Sequence, residues 1–597
     1  MKKTAATQAQ RPIRTLVRLL GTALATMGAA HAGELSIANP DFELRWDNMV
    51  RYNLVNRVGS QDPTILRSPN NDDGDRNFDK GIVSNRLDLL SEFDFVYQKR
   101  MGFRVSGAAW YDHAYRRLDN RNLASSNHVA GNTGALGLSG QTTRWHKGAS
   151  GELLDAFVFT KLELGDMPLN LKLGRHTTYW GESLLNTVHG ISYGQSPIDQ
   201  RKGFSVPGTE AKELFVPRAQ LSAQLQVTTE LSLAAQYFFK WAPIRYPETG
   251  SFLGFSDVLL AGGESLIASP TARLLRGTDV LPNERGDWGV SARWSPDWLD
   301  GTFGFFVRRS ADIQTQTLLM PAVATLPAAT CAGLGFAALG PTTCYINPAA
   351  ASTAQIGQGV IGKYQFAYGS HIDMVGISLA KSLGPVSFGG DINYRRNMPL
   401  ASDAVSVLPA ALAALTPGAV SAMPAVGETG GARGNTVHGV FNVLGIVSKT
   451  ALFDSATWTA ELTWNHLASV TAGQFVFKGR SAYTGIDKAT KNYYGLSANF
   501  TPAWYQALPA VDIFMPMSYG AGLSGNSVVT GGGNEKAGSY SIGLAADVKQ
   551  KYRFDLKYVD FFGPYRTNAA GQISSSAGPT PYLKDRGFVA ATFKTTF

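Results

Sequence analysis

Histidine, cysteine and charge are all scarce in this chain. Nine histidines and two cysteines are spread over 597 residues, and no two histidines stand in the His-Glu-x-x-His spacing that holds a catalytic zinc. No Gly-x-Ser-x-Gly elbow and no phosphate-cradling Gly-Lys-Ser/Thr loop occurs. The sequence therefore reads as a non-enzyme, and no cofactor or metal is expected. Charged residues make up 17%, against about 25% in ordinary soluble proteins, which argues against a disordered chain. Also missing is a ladder of apolar runs of about 20 residues, so the chain is not a polytopic helical membrane protein. Aromatic residues (11%) and glycine (64 residues) are abundant. With a mean hydropathy of -0.08, this composition suits strands with one wet face and one greasy face.

The formal net charge of +9 is inflated by the N-terminus. Residues 1–32 hold Lys2, Lys3, Arg11, Arg14 and Arg18 and no acid, so the remainder carries 49 basic against 45 acidic residues. A nucleic-acid partner loses its main support, because no basic cluster with interleaved aromatics is left. The basic start, the apolar stretch Leu19–Gly28 and Ala30-His31-Ala32 form a secretory signal peptide, cleaved after residue 32. The mature chain is then 33–597. Cys331 and Cys344, close in sequence in an exported chain, are expected to form one loop disulfide.

The mature chain alternates with a period of two. Phe42, Leu44, Trp46, Val50, Tyr52 and Leu54 share one face, and Glu43, Arg45, Asp47, Arg51 and Asn53 share the other. Leu87, Leu89, Phe93, Phe95 and Tyr97 oppose Asp88, Glu92 and Asp94 in the same way. Sixteen further segments repeat the pattern, joined alternately by short turns and long Gly/Asn/Ser/Ala-rich loops. Eight short turns and nine long loops predict an all-β, transmembrane antiparallel barrel of about 18 strands, with 16 as the alternative count. A terminal Phe597 in line with Phe593 and Thr595 fits the final strand of a bacterial outer-membrane barrel, and an open sheet in lipid would leave backbone groups unpaired. Localisation in the cell outer membrane, among lipid and lipopolysaccharide, follows.

Three segments break the rhythm. The first, 175–217, is dense in paired charges: Arg175, Glu182, Asp199, Arg201, Lys202, Glu210, Lys212 and Glu213, with Trp180 among them. These are too many charges for a lipid-facing strand, and the segment is expected to fold inward and constrict the lumen. Gate and pore-lining positions are then Arg175, Trp180, Glu182, Asp199, Lys202, Glu210, Lys212 and Glu213 together with Arg45, Arg51, Arg86, Asp88, Glu92 and Asp94 on the wet strand faces. The second segment, Asn70–Asp79, places oxygen side chains at Asp73, Asp75, Asn77 and Asp79. It resembles a calcium-loop spacing, but the glycine sits early and the bidentate Glu is missing, so an acidic surface turn is expected. The third is a pair of long apolar extracellular loops, 318–351 and 401–434. Their prolines exclude a spanning helix, and exposed apolar surface of this size marks a binding site.

Several motifs together resemble the proteobacterial outer-membrane family catalogued as domain of unknown function 1302. They are Asp72-Asp73-Gly74-x-x-Asn77-Phe78 with Ser84-x-Arg86; Leu173-Gly174-Arg175 with Trp180-Gly181-Glu182; Pro197-Ile198-Asp199; Pro207-Gly208-x-Glu210-x-Lys212-Glu213 with Pro217; and Tyr394-Arg395 with Pro399-Leu400. The resemblance covers essentially the whole mature chain. It implies export to the outer membrane, a periplasmic lipid-carrier-like partner, an inner-membrane transporter of the resistance-nodulation class, and an association with the degradation of steroids and other hydrophobic compounds. The Ala/Pro-rich loops depart from the family pattern. The leading expectation is a barrel that moves small hydrophobic compounds (steroid-, aromatic- or lipid-like). The alternatives are a general porin for polar solutes and a non-transporting barrel that displays adhesive loops.

Overall fold

Eighteen antiparallel strands pair in sequence order, and the last pairs with the first. In this computed structural model, which describes residues 33–35, 39–118, 126–129, 138–259 and 261–597, the strands are β1 (Phe42–Arg57), β2 (Gly81–Tyr97), β3 (Met101–Asp112), β4 (Gly148–Leu164), β5 (Met167–His176), β6 (Arg218–Gln226), β7 (Leu231–Phe238), β8 (Trp288–Trp294), β9 (Gly301–Ser310), β10 (Ile372–Leu383), β11 (Val386–Pro399), β12 (Arg433–Val447), β13 (Ser455–Ala472), β14 (Asn492–Leu508), β15 (Val511–Phe514 and Met517–Ser524), β16 (Gly538–Val548), β17 (Tyr552–Phe562) and β18 (Phe588–Thr596). The predicted leader, 1–32, lies outside the described residues.

Closure is made by β18 against β1, from Arg57 opposite Phe588 to Met49 opposite Thr596. Reciprocal 2.8 Å hydrogen bonds between Asn48 and Phe597 extend it to the last residue. β15 is broken at Met515-Pro516, where proline has no N–H to give the ladder, and Met515 N–H donates to Pro502 on β14 across the break at 3.0 Å. Eight short turns and nine long loops alternate between the strands, as the sequence pattern predicts. Two of the short turns, 97–100 and 548–551, have positive φ at both central residues, Gln98-Lys99 and Lys549-Gln550. This is the mirror-image geometry that follows strand twist in two-residue hairpins, made here without Asn-Gly.

The faces are inverted relative to a soluble protein. Leu89, Val158, Leu173, Val290, Val375, Ile377, Ile392, Ile446, Leu544 and Leu556 all stand exposed, while Arg51, Asn53, Gln220, Arg308, Asp391, Arg395, His438, Glu461 and Asn465 are buried. An apolar outer band around a polar interior is the pattern of a transmembrane barrel. Aromatic pairs gather at the turn end of the strands, including Phe42–Tyr97 (5.1 Å), Phe95–Phe103 (5.4 Å), Trp294–Trp298 (5.9 Å) and Phe554–Phe593 (5.1 Å), as an interfacial girdle requires. Among the described residues no helix is long and apolar enough to cross a membrane.

The long loops do not project separately. Ser265–Ser269, Ala272–Arg276, Gln316–Pro321, Val360–Ala367 and Val405–Ser406, drawn from three loops, make a five-stranded sheet over the loop end of the barrel. Leu318, Val405, Val407, Ala367 and Val476 form its buried core. Cys331 and Cys344 are bonded, with Cα atoms 5.4 Å apart, and are buried with Ile346 and Leu412. Much of the apolar content of loops 318–351 and 401–434 is therefore spent on packing these loops together. Leu339, Leu415, Met423 and Val426 of these loops remain exposed.

The acidic turn expected at Asn70–Asp79 is drawn off the surface except at its end, where Asp79 is exposed. Asp72, Asp73, Asp75 and Asn77 are buried, because Arg57 pairs with Asp75 (2.6 Å) and Asp585 (2.9 Å) and draws the segment in. Gly74 lies against the neighbouring β7–β8 loop, where a Cβ would stand 2.4 Å from the Ser251 carbonyl oxygen.

Non-reducing digestion of the mature protein should yield a Cys331–Cys344 cross-linked peptide by mass spectrometry. The double substitution to serine should cost about 3 kcal/mol locally, the entropy of a loop of about 15 residues. It should raise proteolysis of 323–345 while leaving the heat-resistant barrel band intact on gels.

Candidate functional site

Thr177–Pro217, the connection from β5 to β6, lies inside the barrel and touches its wall on opposite sides. Its first half is held by main-chain bonds to charged wall side chains. The N–H groups of Leu184, Leu185 and Asn186 donate to the Glu461 carboxylate on β13 at 2.5, 3.1 and 2.6 Å. The N–H groups of Glu182 and Ile191 donate to the two oxygens of Asp391 on β11 at 2.7 and 3.1 Å. Gly181, at φ +88°, lies against that carboxylate, where a Cβ would stand 2.5 Å from Oδ2. The carbonyl groups are capped in the same way. Arg308 on β9 donates to Ile191 and Tyr193 (2.6 and 2.8 Å), Arg395 on β11 to Gly190 (2.9 Å), and Arg218 on β6 to Gly194 (2.7 Å). A buried polar group without a partner costs about 1–3 kcal/mol, and here the wall charges supply the partners that water would otherwise supply.

His189, at the tip of this half, is fully buried. Its Nδ1 lies 2.9 Å from Nδ1 of His438 on β12, and its Nε2 donates to the Gly532 carbonyl at 2.8 Å. Burial pushes the His189 imidazole down to about 4, against the raising effect of the Gly532 bond.

The second half carries the charges. Asp199 pairs with Arg201 at 2.6 Å and with Arg245 at 2.9 Å, and Arg201 also reaches Glu248 at 2.9 Å. Burial alone would raise the Asp199 carboxyl, but Arg201 and Arg245 hold it well below the usual range. Lys202 pairs with Glu152 on β4. Glu213 pairs with Arg51 on β1 at 2.8 Å, Glu210 with Lys594 on β18 at 2.9 Å, and Lys212 with Glu92 on β2. Beside this network Trp110 and Trp145 stack at 5.2 Å, with the guanidinium of Arg86 4.9 Å from the first ring and that of Arg201 3.8 Å from the second. A crevice lined by Arg86, Trp110, Trp145, His146, Arg201 and Glu248 shares Arg86 and His146 with a second, greasier one lined by Val55, Val83, Tyr115, Phe252 and Phe588.

Of the residues singled out by sequence, Arg51, Arg86, Asp88, Glu92, Asp199, Lys202, Glu210, Lys212 and Glu213 come together in this network, with Asp88 3.6 Å from Arg51 and 2.7 Å from Arg86. Trp180 is buried against Phe306, its ring centroid 6.0 Å away. Glu182 reaches Arg293 on β8 at 3.3 Å. Arg45 and Asp94 sit apart at the turn end, pairing with Asp47 and Arg104 at 2.6 Å each. Arg175 is half-buried with no hydrogen-bond partner at Nε. The wall residues Arg218, Arg308, Asp391 and Glu461, and the pair His189–His438, escape the sequence reading, and Arg395 enters it only as part of a family motif. Their one local signal is an acidic or basic side chain on the wet face of an otherwise small and neutral strand, as in Gly-Gly-Asp391-Ile-Asn-Tyr-Arg395.

The family model described as "Protein of unknown function (DUF1302)" matches residues 14–597, and the chain belongs to this family. Among curated proteins none matches the chain. Solved structures with a similar course include OccAB4 of Acinetobacter baumannii (9% identity, TM-score 0.38, covering 94% of this chain and 100% of that one). A BenF-like porin from Pseudomonas fluorescens Pf-5 (9%, 0.38, 93% and 98%) and OpdK of Pseudomonas aeruginosa, crystallised with vanillate (8%, 0.36, 93% and 98%), are similar to the same extent.

Because the free imidazole titrates near 6.5 and His189 near 4, the unfolded or released loop binds a proton that the seated loop does not. The seating contribution is complete above about pH 6.5 and is lost as pH falls toward 4, by on the order of 3 kcal/mol. Single-channel conductance in planar bilayers should rise over that window, and His189→Gln should flatten the response.

Proposed function

We propose that this DUF1302 family member is an outer-membrane transport barrel, a channel rather than an enzyme. In this reading it moves small compounds with hydrophobic bodies (steroid-, aromatic- or lipid-like) past the loop Thr177–Pro217. The observation that carries the reading is the seating of that loop. Its backbone and its charges are matched by the wall at β1, β2, β4, β9, β11, β13 and β18, so the loop is a built constriction rather than a surface loop that has collapsed inward.

Support for a hydrophobic cargo comes from the crevice at the loop end of the lumen. Tyr115, Phe252, Phe588 and Val83 give it an apolar side, and the Trp110–Trp145 stack with Arg86 and Arg201 gives it an aromatic and cationic side; each crevice encloses only about 20 Å³, so a cargo occupies it only once the loop has moved. The apolar loops 318–351 and 401–434 contribute less to capture than their composition suggests, since their side chains largely bury one another. The partners in this reading are those the family resemblance implies: a periplasmic lipid-carrier-like protein and an inner-membrane transporter. A polar cargo is the second reading. It is favoured by the paired charges at the turn end, where Asp94 and Arg104 line the wall.

Replacing residues 183–210 by a short Gly/Ser linker should leave an assembled, heat-modifiable barrel, since the strand ladder closes without them. Its conductance should be several-fold larger, and cells carrying it should become sensitive to bulky antibiotics. Unchanged conductance in an assembled deletion barrel would remove the constriction from the reading. Growth of a deletion strain on hydrophobic against polar carbon sources separates the two cargo classes. A defect confined to polar substrates would overturn the first.

A further inference from the structure

We propose that Asp72, Asp73 and Asp257 form a calcium site that fastens the β1–β2 loop to the β7–β8 loop. The three residues each present a carboxylate oxygen, and these oxygens lie within 4.8 Å of one another. Ligand oxygens on opposite sides of one Ca²⁺, each at about 2.3–2.6 Å, stand at most about 5 Å apart, so the cluster is already at the spacing of a shared ion.

Carboxylates crowd together in many proteins. The state of Asp257 distinguishes this cluster. Asp257 is 0% exposed, and no lysine or arginine among the described residues pairs with it. Its Oδ2 accepts one hydrogen bond, from the Asp73 N–H at 3.0 Å, and its Oδ1 has no donor at all. Asp72 is equally buried. One of its oxygens is held by Arg76, and the other, Oδ1, has no donor. Two fully buried carboxylate oxygens of the cluster therefore lack a hydrogen-bond donor among the described residues.

Arg586 does not bind either oxygen. Arg586 spends Nη1 on the Phe252 and Gly254 carbonyls, at 2.9 and 2.8 Å, and its Nε faces Asp75 at 3.7 Å. All three donors are hard oxygens, with no nitrogen or sulfur, which selects Ca²⁺ over zinc or copper. The early glycine that spoils a helix-loop-helix reading of Asp73–Asp79 has another use: Gly74 permits the close contact with Ser251 and Gly254 that brings Asp257 to Asp72. Asn71 reaches the Phe255 carbonyl at 2.8 Å beside the cluster. An ion here would fix the Phe252–Asp257 stretch, and with it one wall of the greasy crevice.

The test uses the full-length mature barrel in detergent. After dialysis from calcium buffer, elemental analysis should find about one calcium per barrel, and Tb³⁺ should bind and be displaced by Ca²⁺. EGTA should lower the melting temperature by several degrees, and Ca²⁺ should restore it. Asp257→Asn should retain no ion and melt identically in EGTA and Ca²⁺. If that variant fails to assemble, Asp72→Asn serves in its place. A wild-type barrel that holds no calcium and melts alike in both buffers overturns the site. So does a calcium response that survives both substitutions. A proton shared among the carboxylates would instead make the wild type lose stability as pH rises, with no calcium effect, and this outcome also overturns it.

Discussion

The structure depends on how main chain is satisfied inside a barrel. A strand wall consumes its own backbone hydrogen bonds, but a 41-residue segment laid across the lumen brings dozens of N–H and C=O groups with it. They must find partners or water. Here the wall meets them with ions. Asp391 takes the N–H groups at both ends of the 182–191 excursion, pinching its base, while Glu461 takes three in a row near its tip. Arg308, Arg395 and Arg218 take four carbonyls from residues 190–194. The recognised feature is backbone, so the path of the loop is dictated by where the wall places its charges more than by the side chains of the loop.

This explains what could and could not be read from the sequence. A period of two is local, so strand number, order and orientation follow from residues such as Phe42–Leu54 taken alone. The charge density of 199–213 is also local, and it marks the segment as unfit for lipid. The clamps are not local. Asp391 lies 209 residues from Glu182, and Glu461 lies 277 from Leu184. On their own strands they are one polar residue among several on the wet face. The acidic run Asp72–Asp79 misleads for the same reason. Its burial is caused by Arg57 and Arg586, one on β1 and one just before β18, and neither is adjacent to it in sequence.

The apolar loops follow from the inverted interior. A lumen walled mainly by polar side chains offers the structures above it little apolar surface beyond clusters such as Trp180, Ile191, Phe306, Met374 and Met398. Loops that fold over its mouth must bring their own core. The segments 316–321, 360–367 and 405–406 do so with Leu318, Phe366, Tyr364 and Val405, and the 323–345 hairpins add a disulfide to a small core of Ile346 and Leu412 with Leu326, Phe336 and Leu408 packed against it. Alanine- and proline-rich composition in such a loop signals a small domain with few polar side chains, and only the residues left outside its core are available to a ligand.

The same accounting bears on how a seated loop can yield. Its ion pairs run between loop and wall, as in Arg51–Glu213, Lys202–Glu152 and Lys594–Glu210, so moving the loop separates charges on both sides. In a dry lumen, breaking one such pair costs about 3–5 kcal/mol, and several together would hold the loop permanently. In water the same pairs are worth about 0–1 kcal/mol each. The main-chain clamps behave alike, because water replaces each carboxylate or guanidinium as a partner at nearly equal free energy. The strength of the constriction is thus set by how well the crevice at its loop end stays dry. Phe252, Phe588, Tyr115 and Val83 keep water from one side of the Arg86 and His146 cluster. Water admitted past these rings reaches the charges the loop depends on and brings each pair down to its solvated strength.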